Sequence, residues 1–255
     1  MAEKDSTFRF KEFSVRQDRC AMKVGTDGVL LGALARVESQ EPRVESQESM
    51  FNVLDIGTGT GVVALMLAQR YPEARIVGVE IDPEAAAQAA ENFAASPWAD
   101  RLTARCGDVN VNENENENEN KFNLIVCNPP YYAHSPAASS RARDTARRAD
   151  SLTYEQLVEC AARLMADGGR LEVIIPYGAA DDFIHTGWLH GLHLVRRIDI
   201  RTKPGKPFKR SVVAVANENE NDNENENEND NLLLFNADGS ATEEYRALTG
   251  EFYLD

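Results

Sequence analysis

Residues Asn128, Pro129, Pro130 and Tyr131 set a side-chain amide, a stiff backbone and an aromatic ring side by side, directly after the apolar run 124–127. Two consecutive prolines remove two backbone donors and fix φ, so the turn is rigid. Such a turn suits chemistry on a planar nitrogen. The lone pair of an amide or exocyclic amine is delocalised into its carbonyl or ring, which makes the nitrogen a weak nucleophile. If the Asn128 side-chain oxygen and the Pro129 carbonyl each accept one N–H, the nitrogen is held pyramidal and its lone pair points at an electrophilic methyl group. Orientation and electrostatics then do the work, and no general base is required. Tyr131 is placed to stack on the target ring, a contact worth roughly 1–3 kcal/mol for a base on an aromatic platform. A base presented in this way must be flipped out or already unpaired.

A second cluster lies some seventy residues upstream. The apolar run 52–56 ends in Asp55-Ile56-Gly57-Thr58-Gly59-Thr60-Gly61, immediately before the helix-like stretch 62–71. Glycines at such a turn let a ligand approach the backbone and leave helix N-terminal amides free to donate. The dinucleotide fingerprint wants GxGxxG to seat a pyrophosphate; here the glycines alternate and an aspartate precedes them. This form resembles motif I of the class I methyltransferases, which use S-adenosylmethionine. Glu80, at the end of the next strand-like run, is placed to accept both ribose hydroxyls. Asp108, just past a third, sits where that fold usually holds the adenine amine.

These residues must be positioned by a repeating scaffold. Strand-like runs at 52–56, 75–80, 102–106, 122–127 and 170–175 alternate with helix-like runs at 62–71, 83–95 and 154–165. Asp82 and Pro83 supply an N-cap and first helical residue, and Asp167, Gly168 and Gly169 close the last helix. The alternation predicts an α/β, doubly wound, mostly parallel sheet covered on both faces. Runs at 192–200, 212–216 and 232–235 predict an antiparallel C-terminal edge whose final hairpin has residues 217–231 at its tip, and 243–249 suggests a short closing helix.

Three segments read as insertions: the duplicated RVESQE of 36–41 and 43–48, and Asn/Glu tracts at 112–120 and 217–231. Alternating Asn and Glu has no apolar face at either structural period, so both tracts are expected to be disordered. They also hold eleven acids, without which the net charge of −15 falls to −4. The acidic total therefore does not exclude a nucleic-acid partner. Cys20, Cys106, Cys127 and Cys160 form no Cys-x-x-Cys pair and read as small core hydrophobes. His190 and His193 lack a companion to complete a ligand set, so no metal is expected. The chain shows neither a leader nor a membrane-length apolar run, which predicts a cytoplasmic protein without a membrane partner.

Taken together, the segment 10–32 (FKEFSVRQDRCAMKVGTDGVLLG), the glycine turn, Ser96-Pro97-Trp98-Ala99, the NPPYY loop and the terminal 245–254 (YRALTGEFYL) resemble the bacterial tRNA methyltransferases that N6-methylate the adenosine 3′ to the anticodon of valine tRNA. The resemblance spans nearly all of the chain outside the insertions. It implies a Rossmann-like methyltransferase domain over 51–255, a cofactor-covering segment over 1–50, S-adenosylmethionine as cofactor, tRNA as substrate and a monomer. It implies catalytic roles for Asn128, Pro129, Pro130 and Tyr131. Cofactor contacts are implied for Asp55, Gly57, Gly59, Gly61, Glu80, Ile81 and Asp108, and for Lys23, Gly25 and Thr26 at the methionine end. RNA contacts would come from Arg141, Arg143, Arg147 and Arg148 past the loop, and from Lys203, Lys206, Lys209 and Arg210. Two other readings stay open: a release-factor glutamine methyltransferase, which uses the same geometry on a protein amide but usually carries an N-terminal helical domain, and a non-catalytic RNA module that binds S-adenosylmethionine.

Overall fold

The computed structural model describes residues 6–37, 51–110, 121–130, 152–217 and 228–254. The RVESQE repeat (apart from Arg36 and Val37), the tract at 112–120, Tyr131 and the four arginines of 141–148 lie outside the described residues. A two-stranded ribbon, β1 (Phe8–Arg9) and β2 (Ser14–Val15), opens the chain and leads into α1 (Thr26–Leu34). Then follow β3 (Phe51–Ile56), α2 (Val62–Arg70), β4 (Ala74–Glu80), α3 (Pro83–Ala94), β5 (Leu102–Cys106), β6 (Phe122–Cys127), α4 (Tyr154–Leu164), β7 (Met165–Pro176), α5 (Ala180–Leu189), β8 (His193–Arg201), β9 (Arg210–Ala216), β10 (Glu228–Leu233) and α6 (Glu243–Thr249).

The main sheet runs β10-β8-β9-β7-β6-β3-β4-β5. Strands β7, β6, β3, β4 and β5 are parallel, and chain order reverses between β3 and β6. The carboxyl ends at such a reversal are where open α/β sheets bind ligands. Alternation across the pleat explains the near-continuous apolar strands. In β6, Leu124 and Val126 enter the core beneath α1, α2 and α3, while Ile125 and Cys127 enter a second core beneath α4 and α5. A strand covered on both faces cannot afford a polar row.

At the C-terminal edge the expectation needs correction. β9 is antiparallel to both β7 and β8, as predicted, but β10 pairs with β8 and runs parallel to it, Glu228 facing Arg196 and Leu233 facing Arg201. No β9–β10 hairpin exists because β9 already hydrogen-bonds a strand on each side. The outer edge of β8, next to β9, is open and takes β10, so Asn217 and Glu228 both lie at the sheet edge opposite the carboxyl ends. Residues 228–231, grouped with the second tract from their composition, belong to β10. The strand after α4 is also longer than 170–175. It starts at Met165, facing Phe122, with an irregularity before Arg170 resumes register opposite Leu124.

Candidate active site

The glycine turn is built by its neighbours. Gly57 and Thr58 donate their N–H groups to the Val79 carbonyl at 2.9 and 3.1 Å, which ties the end of β3 to β4. Gly57, Gly59 and Gly61 have φ of 69°, 54° and 81°, a region costly for residues with a Cβ. Gly61 faces inward: an added Cβ would lie 2.5 Å from Phe93 Cε1. At Gly57 an added Cβ would meet nothing within 4 Å, since that turn opens onto a cavity.

Asp55 is buried below the turn. The Thr58 hydroxyl donates to its Oδ2 at 2.6 Å. Burial pushes the Asp55 carboxyl up to about 6, against the Thr58 and Ala64 donors that favour the charged form and with the Glu80 charge adding to the rise. Its place is beneath the loop, bracing turn and helix start, not in the cavity wall.

The cavity, of about 400 Å3, lies at the carboxyl ends of the strands. Of the sequence-derived positions it gathers Gly57, Gly59, Glu80, Ile81, Asp108, Asn128, Pro129 and Pro130. Glu80 Oε2 accepts the Gly59 N–H at 2.9 Å and Oε1 the Asp82 N–H at 3.1 Å, which fixes the carboxylate and leaves a lone pair on each oxygen for a further donor. Asp108 Oδ1 accepts from the Asn110 backbone and side chain, at 2.9 and 3.0 Å. Asn128 Oδ1 is buried and has no hydrogen-bond partner among the described residues. A buried carbonyl oxygen without a donor is uncommon in folded proteins. This one stands at the end of β6 in the wall of the cavity, where a ligand N–H would satisfy it.

Lys23, Gly25 and Thr26 are not in the wall. Gly25 caps α1, and Asp27 in its first turn accepts from Arg210 Nε at 3.0 Å. The wall instead receives Cys20, Ala21 and Met22 of the same segment. Two buried polar residues on α3, Gln88 and Asn92, hold that segment: Asn92 Oδ1 accepts the Arg16 N–H and Gln88 Oε1 the Arg19 N–H, both at 2.9 Å. Two amides at i, i+4 on an otherwise alanine-rich helix were the available signal for this dock. Leu152 and Gln156 also line the cavity. The side chain of Gln156 accepts the Thr153 N–H in a capping box that starts α4. The Cys20 thiol is pushed up to about 11, mainly by burial and then by Glu80 and Asp82, and burial likewise raises Cys127. Both stay protonated and serve as apolar wall. Cys106, unlike the other three cysteines, is exposed.

The β8–β9 connection reaches the same sheet edge. Lys206 and Lys209 are exposed and form no ion pair among the described residues, whereas Arg210 is committed to Asp27. Lys203 is next to the 236–240 turn: Asp238 is held below the usual carboxylate range chiefly by Ser240, with Lys203 contributing. Among the described residues no cluster of three or more His, Cys, Asp or Glu could hold a metal, and no helix is long and apolar enough to cross a membrane.

The set fits an S-adenosyl ligand. Open glycine backbone, a fixed carboxylate with spare lone pairs, a second carboxylate just past the next strand and an amide oxygen unpartnered among the described residues share one cavity. The model of the methyltransferase small domain matches residues 43–178. A Bacteroides fragilis relative named tRNA1(Val) (adenine(37)-N6)-methyltransferase is 43% identical over 97% of both chains. A Yersinia enterocolitica relative of the same name is 41% identical, covering 97% of this chain and 92% of its own. Among solved structures, an Agrobacterium tumefaciens protein described as a predicted O-methyltransferase superposes with a TM-score of 0.63 at 16% identity, over 88% of this chain and 96% of that one, and shares the fold.

Proposed function

The chain belongs to the methyltransferase small domain family, and from that premise we propose that it is the S-adenosylmethionine-dependent enzyme that methylates N6 of the adenosine 3′ to the anticodon in valine tRNA. The name borne by relatives that match along nearly the whole chain supports this substrate over a protein glutamine. The observation that carries the chemistry is the buried Oδ1 of Asn128, unpartnered among the described residues.

When bound, S-adenosylmethionine supplies an electrophilic methyl group. Glu80 accepts the two ribose hydroxyls, Asp108 the adenine amine, and Ile81 packs on the ring, with Gly57 and Gly59 giving close backbone approach. Asp55 and Gly61 act one layer below, keeping the turn in shape. The N-terminal segment covers the cofactor through the Cys20–Met22 wall, and residues 51–255 form the catalytic domain. Asn128 Oδ1 accepts one hydrogen of the target amine, and the Pro129 carbonyl accepts the other. With both hydrogens directed away, the nitrogen lone pair is turned out of conjugation toward the methyl carbon. Pro129 and Pro130 hold that carbonyl in place, and Tyr131 stacks on the flipped adenine. The excess proton leaves to solvent once the nitrogen is alkylated and acidic. Arg141, Arg143, Arg147, Arg148, Lys206 and Lys209 bind RNA phosphates, while Arg210 acts through Asp27. The same reading makes the enzyme a cytoplasmic monomer.

The test is incubation with radiolabelled S-adenosylmethionine and unmodified total tRNA, followed by digestion to nucleosides. Label is expected in N6-methyladenosine. Label on a peptide glutamine, with none on adenosine, refutes the assignment.

A further inference from the structure

A cation–aromatic cluster stands on the same sheet edge, outside the cavity. Tyr177 follows directly on β7, the strand next to β6, and the register sets Cys127 beside Val173. Strand spacing then places Tyr177 roughly 10–15 Å from Asn128. Tyr177 is 39% exposed. Its N–H donates to the Lys209 carbonyl at 3.1 Å, which fastens it to the β8–β9 connection. From that connection Phe208 meets the Tyr177 ring at 5.3 Å between centroids and 30° between planes.

Each ring is backed by a guanidinium. Arg197 lies 5.3 Å from the Tyr177 centroid, but Asp181 and Asp199 occupy its nitrogens at 2.6 and 2.8 Å. Its charge is already answered, so it stiffens the ring without attracting an anion. Arg201 lies 5.3 Å from the Phe208 centroid, and its Nε is buried without an acceptor among the described residues. Arg201 has no acidic partner among the described residues, nor have Lys206 and Lys209. Arg210 is held by Asp27 at 3.0 Å, and Arg201, Lys206 and Lys209 remain as charge for a ligand on the strand and connection that carry the two rings.

We propose that Tyr177 and Phe208, with Arg201, Lys206 and Lys209, form a second nucleotide subsite that contacts an unpaired base near the methylated adenosine and holds its phosphate. This rests on the RNA reading above. Pre-ordered rings lose little side-chain freedom on contact with a base. Aromatic platforms accept any base through its π-face, and unpaired cations beside them capture the backbone. The subsite therefore contributes to RNA affinity and register, and not to the methyl-transfer step.

The test uses the full-length enzyme and a synthetic anticodon stem-loop, intact or with single abasic nucleotides flanking the target adenosine. Tyr177→Ala should raise KM for the intact stem-loop about 5- to 100-fold, with kcat and cofactor Kd unchanged and Tyr177→Phe restoring most of the loss. One abasic position should raise the wild-type KM to a similar degree and add little to Tyr177→Ala. Replacing both Lys206 and Lys209 by Ala should lower the salt slope of RNA binding by roughly one for each lysine. If the wild type methylates the stem-loop while Tyr177→Ala leaves KM unchanged, or if the variant and abasic losses multiply at every flanking position, the subsite is refuted alone. A wild type that binds cofactor yet methylates no RNA refutes the parent reading and the subsite with it.

Discussion

Asn128→Ala should separate stability from catalysis in an unusual direction. Oδ1 of Asn128 is buried and has no donor among the described residues, a situation that costs a folded protein about 1–3 kcal/mol. Removing the amide lifts that penalty and leaves a small void at a cavity wall, which solvent can fill. The net change in unfolding free energy should therefore lie between about 0 and +2 kcal/mol, never the loss expected from truncating a well-bonded buried amide. Catalysis should move the other way. Loss of one pre-aligned polar contact at a reacting centre typically costs about 100- to 1000-fold in kcat. The cavity residues proposed to hold the cofactor, Gly57, Glu80 and Asp108, are untouched, so cofactor affinity should stay within about threefold. Urea unfolding, calorimetric titration with S-adenosylmethionine and single-turnover methylation of tRNA measure the three quantities. A destabilisation above about 1 kcal/mol would mean that Oδ1 is satisfied in solution. A kcat loss under tenfold would mean that the target nitrogen is held elsewhere.

Gly61→Ala should destabilise by about 2–4 kcal/mol in urea unfolding, since φ is 81° and the new Cβ meets Phe93 at 2.5 Å; a change under 1 kcal/mol would show that the turn relaxes freely. Asp55 has its folded pKa raised to about 6, so it binds its proton more tightly folded than unfolded. Its contribution is complete below about pH 4 and declines as pH rises to about 6, by on the order of 2–3 kcal/mol. Asp55→Asn should flatten the urea-derived stability profile across that window, and an unchanged slope would refute the burial argument. Deleting residues 218–227 should leave tRNA methylation within about twofold, because both attachment points lie at the sheet edge away from the cavity. A larger loss would place that segment at the RNA. Glu80→Gln should weaken cofactor binding by roughly 10- to 100-fold with kcat at saturating cofactor little changed, as titration and kinetics would show.

The parallel core was legible in the residues themselves. Five apolar runs alternating with capped helices dictate a doubly wound sheet, because strands buried on two faces and helices buried on one leave those periods in the sequence. Asp55-x-Gly-x-Gly-x-Gly and Asn-Pro-Pro carry their own backbone constraints, so their turns could be placed without coordinates. Three things could not be read this way. The partner of β10 depended on which strand edge was still open, a property of the assembled sheet. Asp55 and Gly61 sit beneath the cavity, while Cys20, Met22, Leu152 and Gln156 form part of its wall, because distant segments are brought there by contacts such as those of Gln88 and Asn92. In the sequence Lys203, Lys206, Lys209 and Arg210 were equals, and the fold set Arg210 apart by supplying Asp27. Local sequence determines which backbone shapes and which reactive groups exist. Charge neutralisation and cavity membership are set by residues far apart in the chain, and those are settled only when the chain has folded.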